Sequence, residues 1–375
     1  MANLIIESWR PVRLILDEIG PFRQGQEIFE FDGVSEDGSR VPANLYMLLA
    51  RNGRGKTTAL EAIYGLFGMM ADPPVGRFMD VRTGGRAQLD IRVVWSLGSS
   101  RQSAVLSLWT GSDDPMGSWT EDALAAIDAD VWERLHLSPR DAGVRASRGS
   151  TEGAQRLFDE IASERGRDPS LLYGGSQTLP TVLYFPADRR IVAPIEERAV
   201  KKPAKWGYQP AQMFSSDGPD WDDSIDNLLI WLEWVEDGRI EDLLTFLNEQ
   251  LFADVSGKVI RRPRRHDLAT YVSNVTGEHT LVGLSHGERA LLQLHARTLC
   301  HMTSSTILLI DELENHLHPR WAQRLFASLK EIVSRSAMLS VIFTTHSMGL
   351  METFRDDVAE PGVVKGGYLI EDSMV

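Results

Sequence analysis

The side chains best suited to chemistry in this 375-residue chain fall at two places far apart in sequence. Near the N-terminus, the string Asn52-Gly53-Arg54-Gly55-Lys56-Thr57-Thr58 sets two glycines just ahead of a lysine and a hydroxyl. Glycines so placed let the backbone curl until successive N–H groups face one point, as a bound phosphate requires. Lys56 then has the reach for β- and γ-phosphates, and the Thr57 hydroxyl suits Mg²⁺. The spacing G-x-x-x-x-G-K-[ST] is met except at its first glycine, where Ala50 stands. A Gly/Arg surface turn is the other reading of the same residues.

The second place is the last quarter of the chain. There LSHGERA (Leu284–Ala290), ILLIDE (Ile307–Glu312) and TTHS (Thr344–Ser347) follow one another. ILLIDE is an aliphatic run ending in two carboxylates, and buried parallel strands deliver functional groups from their C-terminal ends. Asp311 is thereby placed to hold Mg²⁺, directly or through water. Glu312 is placed to orient and deprotonate a water attacking a γ-phosphate, assistance worth about 10²–10⁴ in rate. Two solvated acids at a strand end are the alternative. His346 follows the apolar run Leu339–Phe343 and would lie near both acids, as a γ-phosphate donor or as an ordinary structural histidine. In LSHGERA, Ser285 can cap a helix and Glu288 completes a capping box, so an ordinary helix start accounts for the string. The functional reading has Ser285 and the N–H groups around Gly287 hold a γ-phosphate.

These residues need particular elements to position them. Asn44–Ala50 is nearly continuous and apolar, as a buried parallel strand should be, and runs straight into the glycine loop. Leu60, Ile63, Leu66 and Phe67 then recur at helical spacing. Val12–Gly20 and Gln26–Asp32 predict a hairpin, and Ala87–Leu97 with Ser103–Gly111 a second antiparallel pair. Residues 112–170 read as mixed and partly helical, and Thr181–Arg190 as a strand ending in a polar turn. A polar stretch, Lys201–Pro219, precedes two acidic amphipathic helices around Gly238, carrying Ile225, Leu228, Leu229 and Leu232, then Ile240, Leu243, Leu244 and Leu247. Pro319 fits the first turn of a helix striped by Leu325, Phe326, Leu329 and Ile332. No internal repeat and no sustained heptad pattern is found, so a long coiled-coil arm is not expected.

Composition sets outer bounds. At 43% hydrophobic and 25% charged the chain can bury a sizeable core. A net charge of −14 and a pI near 5.2 argue against a generally basic nucleic-acid coat. The single cysteine, Cys300, excludes an internal disulfide and fits a reducing cytoplasmic setting. MANLIIESWRP lacks the form of a signal peptide, and no apolar run approaches the roughly 18 residues that cross a bilayer. A soluble intracellular protein is expected. Two basic runs stand out against the acidic background: Arg261, Arg262, Arg264 and Arg265, and the smaller Lys201, Lys202 and Lys205. Nucleic-acid contact is the sharper reading of them, and pairing with the many acids the plainer one. Trp221, Trp231 and Trp234 read as core, or as a partner surface if exposed.

The ordered set of phosphate loop, LSHGERA, acid pair and histidine resembles the ABC-type ATPase heads. Within these, DELENHLHPRW (Asp311–Trp321) is similar to the D-E-P-E-x-x-L-H-P pattern of the RecF/OLD-like soluble ATPases, relatives of the SMC/Rad50 heads. Gly20-Pro21-Phe22 is also similar to the N-terminal region of that group. The resemblance covers about residues 10–70 and 280–350 and little of 112–270.

It implies an α/β fold of two lobes: a mixed central sheet bearing the phosphate loop, an antiparallel β subdomain and a helical insertion. The chain would divide into residues 1–111, 112–275 (mostly helical, with a strand near 181–188) and 276–375. It implies ATP and Mg²⁺ sandwiched between two copies of the chain. Asn52–Thr58 would bind the phosphates, Thr57 and Asp311 the metal, Glu312 would be the base and His346 the γ-phosphate sensor. Ser285, Gly287 and Glu288 would act in trans. His316 and His318 would lie near subunit contacts, or serve as helix-entry residues.

The sequence departs from the family at Ala50, at His286 and at the Mg²⁺-contacting glutamine. By position the glutamine belongs to the turn holding Pro186, Asp188, Arg189 and Arg190; Gln177 lies earlier. The resemblance implies an ATPase that switches or loads a separate nuclease or toxin, in DNA repair or anti-phage defence, as a homodimer or higher oligomer. With so few residues after His346, a fused Toprim nuclease is not expected. An ATP-gated scaffold with little turnover and the motor of a membrane transporter are the alternatives. The LHP string and the missing glutamine argue against the transporter.

Overall fold

The computed structural model describes residues 4–35, 38–71, 84–138, 145–146, 149–167, 178–189, 198–215, 220–252, 257–336, 338–357 and 360–370. β1 (Leu4–Asp17) pairs with β2 (Glu27–Glu30) as the expected antiparallel partner. β1 starts well before Val12, because β-bulge irregularities on either side let the strand carry Pro11 without losing its ladder to β6. The short pair β3 (Asp32–Val34) and β4 (Arg40–Pro42) leads to β5 (Leu45–Leu49), whose five residues are all buried, then to α1 (Lys56–Gly68).

β6 (Arg86–Leu97) and β7 (Ser100–Thr110) form the second antiparallel pair. They are followed by α2 (Glu121–Ala126), β8 (Val131–Ser138), β9 (Arg145–Ala146) and α3 (Glu152–Ser163). β10 (Thr181–Phe185) and β11 (Ala211–Met213) precede the helices α4 (Ile225–Val235) and α5 (Arg239–Phe252). A small sheet of β12 (Val259–Ile260), β13 (Tyr271–Asn274) and β14 (Gly277–Thr280) comes next. The chain then alternates through α6 (His286–His301), β15 (Thr306–Ile310), α7 (Pro319–Arg335), β16 (Ser340–Thr345), α8 (Met348–Asp356) and β17 (Lys365–Leu369).

Two six-stranded sheets organise these elements. One runs β2-β1-β6-β7-β8-β9 and the other β11-β10-β15-β16-β5-β17. Every pairing in the second sheet is parallel, so the sheet carrying the glycine loop is not mixed as expected. Its neighbouring strands are joined by long crossovers, several through helices, rather than by tight turns, and such crossovers return the chain in the same direction. Mixed pairing belongs to the first sheet, where β8 lies parallel to β7.

The parallel sheet is a septum between two cores. Tyr46, Leu48, Val182, Tyr184, Ile307, Leu309 and Ile342 face α1 and the first sheet. Their alternating neighbours Leu45, Met47, Leu183, Phe185, Leu308, Ile310, Val341 and Phe343 face the layer of α4 to α7. Burial on both faces explains why these strands read as unbroken apolar runs.

The stretch 112–275 is less helical than its sequence suggests, since it supplies strands to three sheets. β8 was hidden because a buried Glu133 interrupts the apolar alternation of Leu135 and Leu137. Glu133 is satisfied there by the N–H of Ala154 at 3.1 Å and by the Thr151 hydroxyl, at the start of α3. Among the described residues the longest helix, α7, has 17 residues, and no helix is long and apolar enough to cross a membrane.

Candidate nucleotide site

The C-terminal ends of β5, β10, β15 and β16 lie side by side, and each delivers one part of the site. From β5 the chain enters the glycine loop. Gly53 and Gly55 have φ of 79° and 95°, the left-handed region that side chains disfavour. Gly55 is also fixed by space: a Cβ there would fall 2.3 Å from the Phe22 ring and 2.8 Å from Pro21. The Gly20-Pro21-Phe22 turn is therefore the floor under the loop. Gly55 is the N-cap of α1 and offers no side-chain cap, so the first N–H groups of the helix are open to an anion.

Lys56 is buried and folds back over the loop, donating from Nζ to the carbonyls of Ala50 (2.7 Å) and Arg51 (3.1 Å). Burial lowers its pKa, and the nearby Glu312, Asp311 and Glu314 oppose that shift. Asn52 and Arg54 are exposed on the loop, and Thr58 packs against Gly20.

From β15 comes the acid pair. Asp311 is 2% exposed, and its N–H donates to the Phe185 carbonyl at 2.8 Å. Its Oδ2 accepts the Thr57 hydroxyl at 2.7 Å and its Oδ1 the Thr344 hydroxyl at 2.6 Å. Thr57 and Asp311 are the residues that would hold Mg²⁺, directly or through water. A hydroxyl and one carboxylate also match the chemistry of an ion that keeps several waters and takes phosphate oxygens. Among the described residues no group of three or more His, Cys, Asp or Glu side chains is arranged for a metal, so a fully protein-built cage is absent there.

Glu312 has φ +46°, a left-handed conformation uncommon outside glycine. Its N–H donates to the Thr344 hydroxyl at 2.7 Å. Its carbonyl accepts the N–H of Asn315 at 2.9 Å and the Arg189 guanidinium at 3.1 Å. Arg189 sits in the turn where the resemblance implies a glutamine. It is 2% exposed and also donates to the carbonyls of Pro186 (3.0 Å) and Asp311 (2.5 Å). Burial lowers its pKa to about 10, opposed by Asp311, Glu312 and Glu314, so it stays a cation at neutral pH. Asp188 in the same turn is exposed, and Arg190 and Gln177 lie outside the described residues.

From β16 comes His346. It is half exposed, and its Nδ1 lies 3.1 Å from Oε1 of Glu314. The same carboxylate oxygen accepts the N–H groups of His346 (2.9 Å) and Ser347 (3.1 Å). Sequence reasoning passed over Glu314; the signal was the third acid in DELEN, two residues beyond the pair. His346 also borders a cleft of about 590 Å³ with Leu49, Ala50, Asn52, Met348 and Leu369, directly beside the loop.

LSHGERA lies across the sheet, on the helical side. Ser285 caps α6 and the capping box is complete in both directions: Glu288 N–H to Ser285 Oγ at 3.3 Å, Ser285 N–H to Glu288 Oε2 at 2.9 Å. Glu288 is also held by Lys258 Nζ at 2.7 Å, and its pKa is lowered by these bonds against burial. Gly287 lies against the backbone of His316 and the side chain of Leu317; a Cβ there would fall 3.2 Å from the His316 carbonyl oxygen and 3.3 Å from Leu317, a tight fit. His316 has φ +62°, and His318 caps α7 just ahead of Pro319, so His318 does serve as a helix-entry residue.

The basic run is largely spent within the chain. Arg262 pairs with Glu233 and Glu241 at 2.9 Å, Arg264 with Glu278, and Arg265 with Glu233 at 3.3 Å and with Glu236. Arg261 donates to the Ser273 hydroxyl at 2.8 Å. Lys201 and Lys205 meet Asp222 and Asp223 at 3.0 and 2.5 Å. Acids of α4, α5, β14 and the turn before α4 fold against most of these cations. Trp221 is fully buried, Trp231 partly so, and Trp234 is 48% exposed beneath Arg265.

Over residues 235–352 the chain matches the family described as "AAA domain, putative AbiEii toxin, Type IV TA system". That span contains Ser285–Glu288, the acid pair and His346, and ends before β17. No curated protein matches the chain significantly. A parallel six-stranded sheet with helices on both faces and a glycine loop at its C-terminal edge is consistent with a P-loop ATPase fold.

Proposed function

We propose that this protein binds and hydrolyses ATP, closing two copies around the nucleotide to switch a separate effector. One observation carries the reading: the Thr57 hydroxyl meets the Asp311 carboxylate at 2.7 Å across 254 residues of sequence. A phosphate loop and an acidic strand end meet in this way where a metal–phosphate group is to be shared between them.

Phosphate oxygens entering the loop take the N–H groups of Asn52–Thr58 and the open start of α1. Lys56, now resting on two loop carbonyls, turns to the phosphates as stronger, charged partners. Thr57 and Asp311 are the residues that would hold Mg²⁺, which when bound neutralises charge on the phosphates. Glu312 accepts a proton from water as the water oxygen bonds to the γ-phosphorus. The bond from that phosphorus to the bridging oxygen breaks, and ADP leaves with the electron pair. His346, its Nδ1 side held by Glu314, presents its other ring nitrogen for the γ-phosphate. Ser285, Gly287 and Glu288 of a second copy close the site, with the α6 N-terminus facing the same phosphate. The effector would be a nuclease or toxin; the match to a toxin–antitoxin family supports that class, and the acids that cover the arginine run weigh against nucleic acid held through it.

The test is ATP turnover by the purified chain, with light scattering of Glu312→Gln in ATP and Mg²⁺. An ATP-dependent doubling of mass and loss of turnover are expected. A Glu312→Gln protein that stays monomeric with ATP bound would sink the shared site, and absence of ATP binding would sink the whole reading.

A further inference from the structure

One buried cation has no part in that chemistry. Arg189 reaches the acid pair from the turn after β10, and it touches backbone rather than carboxylate. A buried guanidinium is retained only where its protons are satisfied, and its flat fork can hold two oxygens at fixed separation. Here the fork spans the carbonyls of Asp311 and Glu312, while a third bond to the Pro186 carbonyl fastens the turn itself. Asn315 ties the same two segments again, donating from Nδ2 to the Ala187 carbonyl at 3.0 Å.

These bonds converge on a strained residue. Left-handed backbone at a non-glycine residue has a conformational cost, which the bonds around Glu312 offset. The Glu312 N–H is fixed by Thr344 and its carbonyl by Asn315 and Arg189. Thr344 and Asn315 come from segments next to the site in any case. Arg189 is the contribution of β10, a strand with no other part in the chemistry. A guanidinium cannot ligate Mg²⁺, so Arg189 cannot do what a glutamine would do for the metal.

We propose that Arg189 is a positioning residue that locks the Glu312 backbone in its left-handed conformation and so aims the carboxylate at the attacking water. This rests on Glu312 being the base. The turn after β10 then acts on the base through the backbone.

The test compares the full chain with Arg189→Gln, Arg189→Lys, Glu312→Gln and the double variant Arg189→Gln/Glu312→Gln. Turnover, KM and the affinity for a non-hydrolysable ATP analogue with Mg²⁺ are measured. Arg189→Gln should lower kcat on the order of 10–100-fold, the effect of a misplaced catalytic group. KM and analogue affinity should stay within about threefold. Arg189→Lys, which keeps the charge but not the fork, should fall between. The double variant should be no slower than Glu312→Gln alone, because Arg189 acts only through Glu312. Should Arg189→Gln not fold, Arg189→Lys is read for the same split of kcat from affinity.

Wild-type kcat in both arginine variants would overturn the proposal and leave the ATPase reading intact. So would a loss of affinity that tracks the loss of kcat, or a double variant slower in proportion to both changes. A wild-type chain that does not hydrolyse ATP would overturn both readings together.

Discussion

Two helix starts that the proposed function assigns to one phosphate are built in opposite ways. α1 begins at Gly55 with no side-chain cap, its lysine turned inward and its neighbour Thr57 bonded to an acid from another strand. α6 begins at Ser285 with a full capping box and a lysine, Lys258, on the capping glutamate. The first is left open and would gain partners from a ligand. The second is already satisfied, so a ligand there must compete with bonds the chain makes for itself. On the proposed function, the loop side would bind nucleotide unaided, and the α6 side would contribute only when a second copy brings phosphate to it.

The sharpest way to break that comparison is Lys56→Ala. It should lower ATP affinity on the order of 100-fold, because a charge-assisted hydrogen bond to phosphate is removed from a partly buried site. Fluorescent-nucleotide titration measures it, and unchanged affinity would mean the loop is not the primary site.

A smaller effect is expected from acid. His295 on α6 is fully buried against Phe246, and burial pushes its pKa down to about 4. The folded ring stays neutral while the unfolded chain takes a proton below about pH 6.5, so stability falls as pH drops from that value toward 4. At pH 5 this one group should cost about 2 kcal/mol. Melting curves from pH 7 to 5 check it: His295→Asn should show a shallower decline than wild type, and parallel declines would remove the histidine from the account.

The smallest effect is that of Ser285→Ala. Loss of the cap should destabilise the fold by about 1 kcal/mol. ATP affinity of the isolated chain should not change, while ATP-dependent self-association should weaken. Weaker ATP binding by the monomer of that variant would mean that the two helix starts are not separate sites.

The loop, the acid pair and the histidine stand out as candidates because each lies in a short string of consecutive residues. The flanking apolar strand and helix could be read for the same reason. Strand direction in the central sheet could not, since apolar runs do not record which neighbours they pair with. β8 is not legible because its buried Glu133 side chain finds its partners Thr151 and Ala154 on another element. Which acids the arginine run meets is not legible in the sequence, because Glu233, Glu236, Glu241 and Glu278 lie elsewhere along it.

The sequence alone determined which atoms are present to do chemistry: glycines that admit left-handed backbone, a lysine, hydroxyls and carboxylates at strand ends. Local sterics and periodicity suffice for that. Only the tertiary structure decided what those atoms face. Thr57 meets Asp311, His346 meets Glu314, and Arg189 holds the carbonyls of the acid pair. Each contact joins segments brought together by parallel strand order, and that order is set by packing on both faces of a sheet rather than by any local residue preference.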